Sequence, residues 1–401
     1  MCGICGKLNY KTNEQVDPDL ISRMMSTMEH RGPDKGGSFV RGPIGLGHRR
    51  LSIIDLATGD QPLCNEDGTI WVVYNGEIYN FMELRAELKK KGHTFKTRSD
   101  TEVIVHLYEE DGPDCVKKLR GMFAFAVWDG RSNQLLLARD RVGVKPLYYT
   151  NTGKALIFAS EIKAILQDPS VCKKVNLKAV DRFITYGYLP GPETLIEGIL
   201  KLPPGHYLLV RNGRWSLVEY WDLSFQVSPG WKNFSDAARA LQDLLRESVK
   251  DHMISDVPVG VLLSGGVDST GVLRYAAEHS DRPIHTFSIG FENEGFPDER
   301  PYARLAAQRF GAVHHEMTIN AEEFGDFLFD YCWHMEEPVF EPPAFALYYV
   351  ARAAREAGVK VLLSGEGGDE AFGGYQNYRN MLLLETLKRA FGPAKQLLSL
   401  G

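Results

Sequence analysis

The second residue of the chain is a cysteine, which opens the sequence MCGICG at residues 1–6. An initiator methionine before a small residue is usually removed, and its removal would leave Cys2 with a thiol and a free α-amine on one residue. An α-amine with an unperturbed pKa of roughly 7.7–8.0 can accept the thiol proton near neutral pH. Cys2 is therefore predicted to be a nucleophile that carries its own general base.

Cys2 and Cys5 also form a Cys-x-x-Cys pair, which is typical of redox sites and of half of a zinc site. A zinc site would need a second such pair or suitably spaced histidines, and a thioredoxin-type pair would follow a strand at the start of a helix. The sequence therefore favours the nucleophile. We expect small buried side chains at the remaining cysteines, which stand singly at Cys64, Cys115, Cys172 and Cys332.

Polar residues adjoin apolar segments in the first half of the chain. Arg50 precedes one such segment, and Asn75-Gly76-Glu77 follows a strand predicted to end at Tyr74. An Asn-Gly pair is most often a tight turn. A carboxamide and a glycine N–H are also the two donors that an oxyanion hole needs. The residues alone leave both alternatives open.

A second set of residues suited to chemistry lies at 264–269, with the sequence SGGVDS. It follows a predicted strand and opens a predicted helix, so its glycine N–H groups, its hydroxyls and the helix dipole can bind an anion. Asp268 can hold a magnesium ion that bridges phosphates. The sequence is neither a Walker A loop nor a dinucleotide-binding G-x-G-x-x-G.

A second glycine-rich loop, SGEGGDE at residues 364–370, also follows a predicted strand. In parallel sheets ligands bind outside the carboxyl ends of the strands. Two such loops, both with acidic residues and at equivalent strand ends, are hard to explain as turns alone.

The elements that position this second site alternate regularly between helix and strand. Near-continuous apolar strands separated by helices indicate a parallel sheet covered on both faces. The predicted strands are 257–263, 284–289, 313–317 and 359–363, and the predicted helices are 237–252, 269–279, 299–310 and 344–356.

The first half is richer in strands, and its pattern predicts layered sheets with helices outside. Predicted strands are 69–74, 122–128, 134–138 and 155–159. Asn80 is predicted to cap a helix that Gly92 ends, and Ser99 with Glu102 has the spacing of a capping box. Residues 30–34, HRGPD, are predicted to form a rigid turn braced by its charges.

Composition excludes several classes of function. The chain has 401 residues, 44% of them hydrophobic, and a formal net charge of −6. This charge gives no basic surface for nucleic acid or anionic membrane. No segment approaches the roughly 18 apolar residues of a membrane helix, and no signal peptide is evident. With six cysteines, we expect a cytoplasmic protein of two domains.

The motifs together resemble a known family. The N-terminal sequence MCGI resembles class II glutamine amidotransferases, and residues 264–269 resemble the pyrophosphate loop of ATP pyrophosphatases. With residues 364–370 and FGGY at 372–375, the whole chain is similar to glutamine-hydrolysing asparagine synthetases. The resemblance implies an Ntn-type αββα sandwich of antiparallel sheets over residues 2–222. It implies a parallel-sheet α/β domain of the ATP-pyrophosphatase type over residues 223–401.

The resemblance also implies roles at the first site. Cys2 would attack the side-chain amide of glutamine, while Asn75 and the N–H of Gly76 would stabilise the oxyanion. Losing one such donor typically costs roughly 3 kcal/mol of barrier. The implied contacts to glutamine are Arg50 to the α-carboxylate and Glu77 and Asp100 to the ammonium group, with Asn75 at the amide.

At the second site, the resemblance implies that ATP and aspartate form an acyl-adenylate and pyrophosphate. Ammonia would arrive through an apolar passage and replace AMP, with Glu366 as a base or as a group that orients the amine. Asp268 and Asp369 would bind Mg²⁺. The implied ATP-binding residues are Leu263, Ser264, Gly265, Gly266, Asp268, Ser269, Ile289, Ser364 and Gly365.

Some alternatives stay open. The family continues past residue 401 into a helical segment with a charge-stabilising lysine, so we expect the second domain to be truncated. Residues 334–344, at the acceptor, vary in the family, and a sugar acid or another carboxylate could replace aspartate. A truncated chain that retains only glutaminase activity or ligand binding is a further alternative. A homodimer also stays open.

Overall fold

The computed structural model of the protein describes residues 1–225, 230, 233–292, 298–338 and 343–390. The chain divides into two compact units. The first comprises Met1–Ala238, Ile254–Val257 and Ala321–Phe345, and the second comprises Arg239–Met253, Pro258–Asn320 and Ala346–Gly401. The boundary predicted after residue 222 falls within the first unit and stays a prediction.

The first unit contains two antiparallel sheets. One has the strand order β10-β8-β9-β1-β3-β2 and the other the order β12-β11-β7-β6-β5-β4. Their strands are β1 (Gly3–Leu8), β2 (Lys35–Arg41), β3 (Ile44–Arg50), β4 (Leu63–Cys64), β5 (Ile70–Ile78), β6 (Gly121–Asp129), β7 (Gln134–Arg139), β8 (Tyr148–Asn151), β9 (Leu156–Ala159), β10 (Ile199–Lys201), β11 (His206–Arg211) and β12 (Arg214–Glu219).

The two sheets pack face to face through an apolar core. Side chains alternate between the faces of a strand, so Val73 of β5 and Ala124 of β6 point between the sheets. There they join Ile4 of β1 and Leu46 of β3 in one buried cluster. Small residues on β6 leave room for the larger side chains opposite.

Helices cover the outer faces of both sheets. They are α1 (Pro18–Ser26), α2 (Phe81–Lys90), α3 (Glu102–Asp111) and α4 (Ile162–Ile165). A further helix, α5 (Leu177–Tyr186), buries only Ala179. Helices α1 and α4 share a buried cluster with β1 and β9. Helices α2 and α3 pack on β5 and β6. The layers run helix, sheet, sheet, helix, which confirms the predicted αββα sandwich.

Strand β5 is longer than the sequence predicts. It continues past Tyr74 to Ile78 and pairs with β6 throughout, with Asn75 opposite Ala124 and Gly76 opposite Phe123. The Asn-Gly pair is therefore part of a strand, and the tight-turn alternative is wrong. Pairing along the whole of β6 outweighs the turn preference of the two residues.

The predicted capping box before α3 is also wrong. The helix begins at Glu102 with Thr101 at its N-cap. The Glu102 carboxylate instead accepts hydrogen bonds from the backbone N–H groups of Lys96 and Thr97, both at 2.7 Å. Glu102 therefore holds the loop before the helix, whereas a capping box would require its carboxylate to accept from the N–H of Ser99.

Asn80 occupies the N-cap of α2 as predicted, but its side chain does not cap the helix. Its carboxamide instead binds the segment before β6. It accepts a hydrogen bond from the N–H of Arg120 and donates one to the carbonyl of Lys118, both at 3.0 Å. Gly92, with φ of 103°, follows the end of α2 as predicted.

The second unit is built on a parallel sheet of strand order β15-β14-β13-β16. This confirms the predicted α/β architecture. In chain order the remaining elements are α6 (Phe234–His252), β13 (Val259–Leu262), α7 (Val267–Glu278), β14 (His285–Phe291), α8 (Arg300–Arg309), β15 (Val313–Ile319), α9 (Ala321–Met335), α10 (Pro343–Glu356), β16 (Val361–Leu363), α11 (Gly368–Phe372) and α12 (Gln376–Ala390). Of these, α9, the start of α6 and the first residues of α10 lie in the first unit.

Within the described ranges, none of the helices has the length and apolar character needed to cross a membrane.

Candidate active sites

Cys2 lies directly before β1, which runs between β3 and β9 in its sheet. The backbone N–H of Leu51 donates to the Cys2 sulfur at 3.4 Å, and the thiol lies 3.7 Å from the carbonyl oxygen of the same residue. Arg31 Nε donates to the Cys2 carbonyl at 2.9 Å. These contacts fix the thiol at the end of the sheet.

The surroundings of Cys2 favour uncharged groups. Burial raises the pKa of the Cys2 thiol above its usual value, although the Leu51 hydrogen bond opposes this. Burial also lowers the pKa of the N-terminal ammonium, here that of Met1, to about 5. A thiol with a raised pKa needs a nearby base, and an amine that is neutral at pH 7 can act as one.

Cys5 cannot serve as a redox partner for Cys2. It lies on β1, fully buried in the cluster beneath α1, and burial raises its pKa. Its thiol is free, as are the other five. Cys115 is buried as predicted and Cys64 is half-buried, whereas Cys172 and Cys332 are exposed, so the prediction of a buried side chain is wrong for those two. Cys172 lies in the connection between α4 and α5, and Cys332 occupies a solvent-facing position on α9.

Asn75 has the features of an oxyanion donor. It is 1% exposed, and its side chain shares a strand face with Val73, between the two sheets. Its Nδ2 is buried and has no hydrogen-bond partner. Buried polar groups are normally paired, because an unpaired one costs free energy. This orphan donor therefore points to a ligand atom that completes it.

Gly76 can only be glycine at its position. A Cβ there would lie 2.2 Å from the carbonyl oxygen of Met122 on β6. The N–H groups of Tyr74 and Ile78 donate to side chains on the strand edge away from β6. Since N–H directions repeat every second residue along a strand, the N–H of Gly76 points to the same edge, between them.

The partly exposed Glu77 and the buried Asp100 form an acidic pair. Asp100 accepts hydrogen bonds from Tyr74 Oη at 2.7 Å and from the N–H of Ile78 at 3.0 Å. Burial and the charge of Asp100 raise the pKa of Glu77 well above its usual value. Burial also raises the pKa of Asp100, although its hydrogen bonds oppose this. An incoming cation would relieve both effects, so the pair is suited to binding an ammonium group.

Arg50, at the end of β3, is buried and already held in place. Its Nη1 donates to Asp60 at 2.6 Å, and Nη2 donates to the carbonyls of Ile54 at 3.1 Å and Asp55 at 2.6 Å. These contacts fix the plane of the guanidinium. A ligand carboxylate would share this group with the half-exposed Asp60.

Two charged residues at this site were missed from the sequence. Arg31 binds the Cys2 carbonyl and pairs with Glu161 at 3.0 Å. Lys145 is buried, its Nζ lies 3.4 Å from Met1 Sδ, and desolvation lowers its pKa. The HRGPD sequence was a signal for Arg31, because Gly32 brings that turn against the backbone of β3, where a Cβ would lie 2.2 Å from Arg49.

The second set of residues surrounds the loop between β13 and α7. Gly265 has φ of 84°, and a Cβ there would meet the backbone nitrogen of Ala303 at 2.6 Å. The Ser264 hydroxyl lies 3.0 Å from that of Ser269 and accepts from the N–H of Gly266 at 3.2 Å. Helix α7 begins without a side-chain cap, so its first N–H groups are free to bind an anion.

The loop after β16 meets this first loop. Strands β13 and β16 are parallel neighbours, and their carboxyl ends lie together as predicted. A Cβ on Gly365 would lie 2.8 Å from the nitrogen of Ser269, and one on Gly368 would lie 2.5 Å from the carboxylate of Asp268. The glycines are needed because the loops touch.

The other predicted residues of this set lie around the same two loops. Glu366 and Ser364 are exposed, and the N–H of Glu366 donates to the Ser364 hydroxyl at 3.1 Å. Asp369 lies on α11 and is half-buried. Leu263, at the end of β13, is buried, and Ile289 lies on the neighbouring β14.

The segment predicted to face the acceptor lies only partly within the described residues, since 339–342 fall outside them. Its first residues belong to the compact unit of the sandwich. The Glu336 carboxylate accepts hydrogen bonds from the N–H groups of Ile162 at 2.8 Å and Lys163 at 2.6 Å, at the start of α4.

Comparison with known proteins agrees with two groups of functional residues, one in each half of the chain. A glutamine amidotransferase domain model matches residues 1–221, and an asparagine synthase model matches residues 240–399. Asparagine synthetase [glutamine-hydrolyzing] 1 of Bacillus subtilis is 39% identical over 99% of this chain, which spans 62% of that relative's length. A putative asparagine synthetase [glutamine-hydrolyzing] 2 of Methanocaldococcus jannaschii is 37% identical over 97% of this chain and 78% of its own length.

A solved structure described as the allosteric regulatory enzyme of purine biosynthesis is also similar. It is 16% identical, with a TM-score of 0.42 over 79% of this chain and 80% of its own. That similarity is too low to support an argument about this chain. The matches to the two domain models and to the curated relatives are sufficient: the chain belongs to the family of glutamine-hydrolysing asparagine synthetases.

Proposed function

We propose that the protein makes asparagine from aspartate, with glutamine as the nitrogen donor and ATP as the source of energy. The proposal rests on two groups of residues in one chain. In the first, the main chain holds the Cys2 thiol, and the buried carboxamide of Asn75 has a donor without a partner. In the second, two glycine-rich loops meet at neighbouring parallel strands. The six free thiols support a reducing cytoplasm as its location.

In the first reaction, the Cys2 sulfur attacks the side-chain carbonyl carbon of glutamine. The thiol proton passes to the Cys2 α-amine, which becomes available once Met1 is removed. The amine then returns this proton to the leaving nitrogen of the tetrahedral intermediate, whose C–N bond breaks, so that ammonia departs and a thioester on Cys2 remains. Water cleaves the thioester to glutamate and restores the thiol.

Binding groups for glutamine surround this thiol. Asn75 Nδ2 and the N–H of Gly76 donate to the oxyanion of the tetrahedral intermediate. The Glu77 and Asp100 pair receives the ammonium group of glutamine, which neutralises an otherwise unfavourable pair of carboxylates. Arg50 receives the α-carboxylate, with its guanidinium plane already fixed.

In the second reaction, a carboxylate oxygen of aspartate attacks the α-phosphorus of ATP and pyrophosphate leaves. The loop N–H groups at Gly265 and Gly266 and the hydroxyls of Ser264, Ser269 and Ser364 bind the phosphates. Leu263, Ile289 and Gly365 flank the nucleotide. Ammonia then attacks the acyl carbon and AMP leaves, with Glu366 accepting a proton or orienting the amine.

The acidic residues of this site suit magnesium. The Asp268 carboxylate faces Gly368. Because Gly368 has no Cβ, the space in front of this carboxylate is open. Asp369 directly follows Gly368 in the sequence. Oxygen ligands from one or two carboxylates, with the remainder from phosphate and water, match the preference of Mg²⁺. Asp268 and Asp369 would hold the ion, which would offset the phosphate charge.

The test is to incubate the full chain with amide-¹⁵N-glutamine, ATP, Mg²⁺ and aspartate and to analyse the products by mass spectrometry. The expected products are ¹⁵N-asparagine, glutamate, AMP and pyrophosphate. Glutamate without AMP would show that only the first reaction occurs and would refute the complete proposal. AMP release with another carboxylate in place of aspartate would refute the choice of acceptor.

Two variants separate the reaction centres. Cys2→Ala should abolish glutamine hydrolysis and leave synthesis from ammonium ions intact, whereas Asp268→Ala should abolish ATP turnover and leave glutamine hydrolysis intact. Cys172→Ala, which removes an exposed thiol elsewhere, is the control. Loss of both activities in either site variant would contradict two separate centres.

A further inference from the structure

A cluster of metal-ligating side chains lies in the first unit, apart from the residues around Cys2. Glu66, His93, His106 and Glu109 each offer one ligand atom, and these four atoms lie within 4.8 Å of one another. The sequence gives no warning of the cluster, because its members come from three separate segments.

Three elements bring the cluster together. Glu66 lies in the connection from β4 to β5, and His93 lies just after α2. His106 and Glu109 both lie on α3 and are three residues apart, so they share one face of that helix. His106 is fully buried and Glu66 is exposed, which leaves the cluster open to solvent on one side.

Three separations between neighbouring ligand atoms match the edge of a four-coordinate site, and a fourth, at 3.8 Å, is slightly longer. Glu66 Oε1 lies 3.4 Å from His93 Nδ1, and Glu66 Oε2 lies 3.4 Å from His106 Nδ1. Glu109 Oε2 lies 3.5 Å from His106 Nδ1 and 3.8 Å from His93 Nδ1. With Zn–N and Zn–O bonds of about 2.0–2.2 Å, the edge of a tetrahedral site is roughly 3.3–3.6 Å. These separations are also too long for hydrogen bonds.

The innermost atoms of the cluster lack partners. Both ring nitrogens of His106 and Oε2 of Glu109 are buried without a hydrogen bond. The other oxygen of Glu109 accepts from Asn65 Nδ2 and from Arg131, each at 2.8 Å. Those two donors fix the carboxylate with its unpaired oxygen turned towards the imidazoles. Leaving such groups unpaired is unfavourable. A bound cation would pair His106 Nδ1 and Glu109 Oε2, whereas His106 Nε2 faces Glu102 Oε1 at 3.8 Å, away from the cluster.

Outer groups orient the ligands as they do in metal sites. His93 Nε2 lies 3.2 Å from Glu110 Oε1, so the ring can donate there and keep its Nδ1 lone pair towards the cluster. Oε1 of Glu66 accepts from the N–H of Thr94 at 2.9 Å. In metal sites, a ligating histidine usually donates its other ring N–H to a carboxylate or carbonyl, and a ligating carboxylate usually accepts further hydrogen bonds. Both features occur here.

We propose that Glu66, His93, His106 and Glu109 bind one divalent transition-metal ion, Zn²⁺, as a structural site. Two imidazole nitrogens and two carboxylate oxygens suit this ion, and four protein ligands close its coordination. The ion ties α3 to the β4–β5 connection and to the segment after α2. It lies among residues that the proposed chemistry does not use.

The test uses the full chain, stripped of metal with a chelator and titrated with Zn²⁺ and, separately, with Co²⁺. We expect one tightly bound Zn²⁺ per chain by elemental analysis and a rise in Tm on Zn²⁺ addition. The Co²⁺ form should show the strong visible bands of a four-coordinate site. Thiolate charge-transfer bands in the near ultraviolet would place the ion on cysteine instead and would overturn the proposal.

Variants identify the ligands. Glu66→Gln changes an exposed member and His93→Asn changes a partly buried one that lies outside the helices, so both are expected to fold. Each should weaken Zn²⁺ binding by more than about 10-fold, since loss of outer-layer groups alone costs about 10–100-fold. Glu87→Gln, an exposed carboxylate on α2, is the matched control and should bind as the parent does.

Two further results would refute the site. One is tight binding that survives in both ligand variants. The other is a stripped chain that binds no Zn²⁺ and whose Tm does not respond to it, which would mean that the four side chains lie together without holding an ion. Because the readouts are metal content, spectra and Tm, failure here is distinguishable from failure of the proposed synthesis.

Discussion

Leu51 and Cys2 are joined through the sulfur: the N–H of Leu51 donates to Cys2 Sγ at 3.4 Å, and its carbonyl lies 3.7 Å from the same atom. The thiol is therefore held by the main chain next to β3. A thiolate formed there would keep one backbone donor, although burial raises the pKa of the thiol. Activation must come from a nearby base, and the proposed base is the α-amine of Cys2.

The first prediction concerns the requirement for this amine. A glutamine analogue with an electrophilic diazoketone should modify Cys2 only in chains from which Met1 has been removed, because only they carry the base on the same residue. Intact-mass analysis would measure both the processed and the modified fractions, which should be equal. Modification of chains that retain Met1, at the same rate, would contradict the mechanism.

The second prediction concerns Asn75→Ala. Since Asn75 Nδ2 has no partner in the folded protein, its removal should cost little stability beyond the small volume lost. Its loss as an oxyanion donor should lower kcat for glutamine hydrolysis by about 10²–10³-fold. Stopped glutaminase assays and thermal unfolding would measure the two effects, and a large fall in Tm with kcat preserved would assign Asn75 a structural role.

The third prediction concerns protons released when glutamine binds. In the free protein, burial and the neighbouring Asp100 raise the pKa of Glu77, so the pair keeps a proton to higher pH than an isolated glutamate does. An ammonium group lowers that pKa and expels the proton, so affinity should rise with pH. Calorimetry on Cys2→Ala in two buffers of different ionisation enthalpy would count the protons. Release should vanish in Glu77→Gln and persist in Glu83→Gln, an exposed carboxylate on α2.

The fourth prediction concerns stability and pH. The pKa of Glu77 is higher in the folded protein than in the unfolded chain, where it is about 4.3. The folded state therefore binds more protons, and stability falls as pH rises above that unfolded value. Glu77→Gln removes this loss. The Tm difference between this variant and the parent should grow in the variant's favour from about pH 4 to pH 8, and a difference independent of pH would contradict the assignment.

The fifth prediction concerns Gly368→Ala. The new methyl group would lie 2.5 Å from the Asp268 carboxylate, so this side chain or the loop must shift. ATP-dependent pyrophosphate release should fall sharply while glutamine hydrolysis stays unchanged. Gly271→Ala is the matched control, because a Cβ there meets only open space on α7. Equal effects of the two substitutions would argue against a close approach of the loops.

The sequence allowed the layers, the parallel sheet and the meeting of the two loops to be predicted, because apolar periodicity and glycine placement are local signals. Prediction from the sequence failed where the conformation of a segment depends on contacts with other segments. Pairing with β6 carries β5 through Asn75 and Gly76, despite their preference for turns. Backbone donors at Lys96 and Thr97 draw the Glu102 carboxylate away from a capping box.

Side chains that act through tertiary contacts were equally hard to foresee. Lys145 is a single lysine in a loop, and only the folded sandwich places it beside the N-terminus. The two histidines near Glu66 share no motif, since α3 must pack on the sheet before His106 meets His93. Arg31 had a visible signal in its turn, but its bond to the Cys2 carbonyl required the fold.

The adjacency of β13 and β16 has a consequence for how the molecule matures. These two strands pair directly although most of the second unit separates them along the chain, and such distant pairings form late and slowly during folding. A nascent chain would hold its first glycine-rich loop without a counterpart until synthesis has passed Leu363. The two sheets next to Cys2, by contrast, are formed by strands within residues 3–219, so they can fold while the rest of the chain is still being synthesised.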